Sequence, residues 1–137
     1  MDQAARRERA LLLLRLLLAG LIAAHGWARW IAGGVAPFGT WLDGLGFPLG
    51  FWIAVAITAY EIAGTPLLAL GRWVSLLCIG YCFIYLMGIV LVHWPAGWFV
   101  VGLGRNGMEY SVLLVTCLAL QAWVHWPARR AQQKGDS

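Results

Sequence analysis

Apolar residues fall along this chain in four long blocks, separated by short breaks rich in glycine, proline or arginine. The blocks cover about 10–32, 51–70, 73–93 and 108–126. Each approaches the roughly 20 residues that a helix needs to cross the hydrocarbon of a bilayer. No block alternates apolar and polar positions as a membrane-barrel strand does. No Asp, Glu, Lys or Arg interrupts 73–93, and 108–126 holds only Glu109, near its start. The pattern predicts an all-α polytopic membrane protein, a bundle of four transmembrane helices.

The breaks refine that picture. GGVAPFGTWLDGLGFPLG, at 33–50, is too short and glycine-rich to span, yet Phe38, Trp41, Leu42 and Leu45 recur at helical spacing within it. With Pro37 near its start and Gly46 at its stop, this stretch predicts a short interfacial helix over the bundle mouth. Gly71-Arg72-Trp73 is a tight turn that makes the second and third spans an antiparallel hairpin. Residues 1–9 read as a basic cytoplasmic segment, 10–126 as the membrane domain and 127–137 as a polar cytoplasmic tail. The first apolar block exceeds the roughly 7–15 residues of a signal-peptide core, so it reads as a retained helix.

Composition excludes the soluble class. The chain has 137 residues, 61% hydrophobic and 12% charged, against about 45–50% apolar and 25% charged in soluble domains. Threading four spans puts Arg6, Arg7, Arg9, Arg72, Arg129, Arg130 and Lys134 on one side, with Arg15 able to snorkel there. Only Arg29 and Arg105 fall on the other side, so both termini are expected in the cytoplasm. The net charge of +4 therefore reads as topology and anionic-lipid contact, not nucleic-acid binding. Cys78, Cys82 and Cys117 all lie in spans and read as small apolar packing residues.

Candidate chemistry is confined to polar groups inside the membrane. Glu61 interrupts WIAVAITAYEIAGTPLLALG, where an ionised carboxylate costs several kcal/mol unless it is paired, protonated or hydrated. His25, His93 and Glu109 come from the other three spans and fall in the same, outer half. A shared polar pocket at the bundle axis is expected from His25, Glu61, His93 and Glu109, supported by Arg29, Tyr60, Tyr85, Arg105 and Asn106. Each has a bland alternative: His25 in the headgroups, His93 capping a helix end, Glu109 answering a helix dipole, Glu61 bonded to Tyr or His. No nucleotide-binding, zinc-protease or CxxC motif is present.

The chain resembles the DoxX family of small four-helix bacterial membrane proteins. The resemblance rests on AHGWAR at 24–29, GFP at 46–48, EIAGTPLLALGRW at 61–73, His93 with Gly97 and Phe99, and GRNGMEYSVLL at 104–114. Arg29 stands where the family often has lysine, and QAWVHWP replaces its frequent Gly-Pro-Gly close. The resemblance implies a bacterial inner-membrane bundle, often tied to redox or sulfur metabolism and oxidative stress. Relatives include the small subunit of a thiosulfate:quinone oxidoreductase and a membrane partner of superoxide dismutase and a sulfurtransferase.

Four readings of the pocket follow. A redox-linked component would hold a quinone, with His25 and His93 at its carbonyls and Glu61 and Glu109 moving protons. A subunit or assembly factor would use the cluster only to fix helix register, working with redox-enzyme or other membrane subunits or as a homo-oligomer. A metal-binding protein would draw first on His25 and His93. A proton-coupled transporter would use Glu61. Whether the chain is an enzyme stays open at this level.

Overall fold

The computed structural model describes residues 2–101 and 106–127. Five α-helices account for most of them, and no strand occurs among the described residues. In chain order they are α1 (Gln3–Ile31), α2 (Val35–Gly44), α3 (Gly50–Ala69), α4 (Val74–Gly88) and α5 (Glu109–Val124). Beyond α4 the helix continues as a π-turn, Ile89–His93, and a 3₁₀ turn, Trp94–Ala96. α1, α3 and the extended α4 are long and apolar enough to cross a membrane, whereas α5 is shorter, at 16 residues. α2 is the short helix expected from the Phe38–Leu45 stripe.

Local chemistry explains the joints. α3 ends on Gly71 at φ +74°, with Gly71 N–H donating to Leu68 O and Arg72 N–H to Leu67 O. That pair of bonds closes a helix C-terminus with a left-handed glycine. Trp73 then starts α4 from φ 52°. Pro66 sits inside α3 and removes the N–H that would reach Ile62 O. The Thr65 hydroxyl lies 3.3 Å from that carbonyl and 2.9 Å from Glu61 O, so an acceptor freed in the membrane still has a donor.

α1 and α2 both lie along α3, and α4 lies along α5, while the two groups meet over sparser contacts. Close approach depends on glycines. A Cβ on Gly39 would stand 2.6 Å from Phe51 Cα, and one on Gly26 would stand 2.9 Å from Glu61 Cβ. Between α3 and α4, the Tyr60 hydroxyl donates to Leu77 O and the Tyr81 hydroxyl to Tyr60 O, each at 3.1 Å. A Cβ on Gly80 would collide with the first hydroxyl and one on Gly64 with the second.

Leu18, Ile22, Leu68, Leu77, Cys78, Tyr81, Leu114 and Leu118 form the dense core. They occupy the middle and the half toward the Gly71 turn. Cys78 is a buried member of this core, and the Cys82 thiol lies 3.6 Å from Val115 O. Arg15 reaches the same end, with Nη2 donating to Ala69 O at 3.5 Å and Nη1 to His125 Nε2 at 3.4 Å. It thereby meets a terminal carbonyl of α3, where a cation is favoured. The half away from that turn is hollow.

Candidate functional site

The hollow is a cavity of about 550 Å³ bounded by α1, α2, α3, the end of α4 and the start of α5. Its wall is mainly apolar, including Phe38, Trp41, Leu42, Ile57 and Leu91, with a few polar groups set into it. His25, Arg29, Glu61, Tyr85, His93, Asn106 and Tyr110 are those with chemistry to offer. A concave apolar space with few convergent polar groups is the usual form of a small-molecule site.

At its floor lies the carboxylate. Glu61 is 1% exposed and pairs with Arg29, whose Nη1 stands 2.6 Å from Glu61 Oε2. The same Nη1 donates to Thr58 Oγ1 at 3.1 Å, and the Tyr85 hydroxyl donates to Glu61 Oε1 at 3.1 Å. The Phe38 ring of α2 lies 4.9 Å from the Arg29 guanidinium carbon, within cation–π range. Gly26 lets α1 approach α3 closely enough for Arg29, one turn further out, to reach Glu61. The charge of Glu61 is thus answered from α1 and α4, the compensation that an intramembrane carboxylate needs.

Two histidines line the wall above this pair. His25 Nδ1 lies 3.0 Å from Leu21 O, one turn back on α1. Its ring stacks near Tyr110 at a centroid separation of 6.5 Å and meets Tyr85 edge-on at 6.3 Å. His93 ends the π-turn, and its Nδ1 lies 2.7 Å from Asn106 O, just before α5. The π-turn carries one extra residue per turn and so re-aims the side chains after it. Leu91, Val92 and His93 all line the cavity.

Glu109 stands apart from these groups. Its Oε1 accepts from Val100 N–H at 3.0 Å and its own N–H donates to Trp98 O at 3.0 Å. The carboxylate therefore ties Val100 to the N-terminus of α5, where backbone donors and the helix dipole favour an anion. It is not a lining residue of the cavity. Of the four acid and imidazole groups expected to share a pocket, His25, Glu61 and His93 line this cavity and Glu109 does not, and Arg29 lines it as well. Tyr85 and Asn106 line the cavity, Tyr60 belongs to the α3–α4 seam, and Arg105 lies outside the described residues. Among the described residues no three of His, Cys, Asp or Glu gather in a metal-holding arrangement.

Sequence reasoning placed Arg29 and Tyr85 among the supporting residues and allowed Glu61 a Tyr or His partner; Tyr85 is such a partner, but the ion pair with Arg29, otherwise counted as an outer charge, was not foreseen. The available signal was spacing: His25 and Arg29 are one turn apart, with Gly26 on the approach face between them.

The DoxX family model matches residues 10–94, more than half of the chain, from within α1 to the residue after the π-turn. The chain belongs to the DoxX family. It is a membrane protein, with apolar helices suited to a lipid environment. The match includes His25, Arg29, Glu61, Tyr85 and His93 and stops before GRNGMEYSVLL at 104–114. No curated protein and no solved structure matches the chain.

Proposed function

We propose that this DoxX protein is a redox-linked component of the bacterial inner membrane that binds a quinone-class ligand in its outer cavity. The observation that carries the reading is the internally neutral floor. Arg29 and Glu61 are paired, so the cavity offers no net charge to a ligand while its wall is apolar. Burying an unpaired ionic ligand there would be costly, whereas a neutral ring with polar edges suits both wall and floor. His25, His93 and the unused N–H groups of Arg29 supply hydrogen-bonding partners for such edges. Electrons would pass to or from a partner subunit, and both termini would lie in the cytoplasm, following the arginine asymmetry.

Protein purified in a mild detergent is expected to release quinone on organic extraction, detected by mass spectrometry. Added short-chain benzoquinone should quench tryptophan emission, because Trp41 stands in the cavity wall. If no quinone is extracted and saturating benzoquinone leaves the emission unchanged, the ligand class is wrong.

A further inference from the structure

We infer that the cavity selects the reduced, hydroxyl-bearing form of its ring ligand, a hydroquinone, and that His25 and His93 make the selection. The inference rests on the quinone-class reading above and goes further, to the oxidation state that the site prefers.

Backbone carbonyls fix the argument, because a carbonyl oxygen can only accept. His25 Nδ1 faces Leu21 O at 3.0 Å, and His93 Nδ1 faces Asn106 O at 2.7 Å. Each Nδ1 must therefore carry the hydrogen. In a neutral imidazole the other nitrogen then holds a lone pair, so both Nε2 atoms are acceptors. Neither Nε2 is engaged by a protein donor among the described residues. Both rings line the same cavity, one from α1 and one from the π-turn after α4.

An acceptor requires a donor. The oxidised ligand presents two carbonyl oxygens, and a lone pair set against either one is left unsatisfied and repulsive. The reduced ligand presents two hydroxyls, each able to donate to an imidazole Nε2. Arg29 does not discriminate, since its N–H groups can donate to the oxygen of either form. The Tyr110 hydroxyl, free to donate or accept, does not discriminate either. The difference between forms thus falls on the histidines. A histidine acceptor covered by the bound ring and left without a donor is penalised, and the expected selectivity for the reduced form is roughly tenfold. No bond forms or breaks in this proposal; the site binds one member of a redox couple more tightly. A tenfold preference for the reduced member raises the midpoint of the bound two-electron couple by about 30 mV.

The test uses the full chain in detergent, titrated with decyl-benzoquinone and, under argon, with its hydroquinone, read by tryptophan quenching. The hydroquinone is expected to bind at least tenfold more tightly. His25→Phe and His93→Phe should each narrow that ratio mainly by weakening hydroquinone binding, with circular dichroism checking that the variants remain folded. Equal affinities, or tighter binding of the quinone, overturn the inference and leave the quinone-class reading standing. Binding of neither form removes that reading, and the inference with it.

Discussion

Glu61 is tolerated in the middle of an apolar helix because Arg29 and Tyr85 meet its two oxygens from different helices. Removing one member of a buried pair strands the other, so Arg29→Met or Glu61→Leu should each destabilise the fold by about 3–5 kcal/mol. The double variant should cost less than either single change. Denaturant unfolding in micelles, followed by circular dichroism, measures all three. Arg29→Lys keeps a donor and the charge and should be far milder. Tyr85→Phe deletes one hydrogen bond to the carboxylate and should cost roughly 1–2 kcal/mol in the same assay. At this scale the sequence was half legible. A lone carboxylate in an apolar run announces itself, as do histidines near span ends. Their partners do not, because Arg29 lies 32 positions from Glu61 and only packing joins them. Glu109 shows the converse: sitting at the outer end of its span, it looked like a pocket residue until the loop supplied a backbone donor.

Among the elements, α2 decides how the cavity is closed. It presses on α3 through Gly39, against Phe51, and the Asp43 carboxylate accepts from Gly50 N–H at 2.8 Å. The neighbour at Gly39 is backbone, so a methyl there cannot be absorbed by a side-chain shift. Gly39→Ala is expected to lift α2 from α3, weaken benzoquinone quenching several-fold and lower the thermal midpoint by several degrees. Unchanged values for both would show that α2 is not held by this contact. Helical spacing revealed α2, and the glycine in GRW revealed the inner turn. The π-turn at Ile89–His93 left no such trace, because one extra residue per turn changes no residue type and breaks no apolar run. The fourth span was read as 108–126, but its helix runs only from Glu109 to Val124. Met108 O and the N–H groups of His125 and Trp126 still hydrogen bond into that helix, so the two bounds differ only at its caps.

For the whole molecule, composition and the spacing of four apolar blocks were enough to indicate a membrane bundle. Where that bundle is dense and where it is hollow was not legible, since both halves draw on the same residue types. Orientation can be tested directly. Thr40→Cys, on α2, should react with a membrane-impermeant maleimide in intact spheroplasts, whereas Gln3→Cys should react only after the membrane is opened. The reverse pattern would invert the proposed topology and place the cavity toward the cytoplasm.

Unequal helix lengths carry a further consequence. At 1.5 Å per residue, the 29 residues of α1 extend about 43 Å and the 16 of α5 only about 24 Å. A typical hydrocarbon layer is about 30 Å thick, so the flank of α5 falls short of it. Where α5 crosses the bilayer, lipid thinning or snorkelling of its flanking side chains must make up the difference, at a cost of fractions of a kcal/mol for each ångström of mismatch. Phospholipids with shorter acyl chains should therefore collect along that flank, making the annulus around this small protein lopsided in composition as well as in depth.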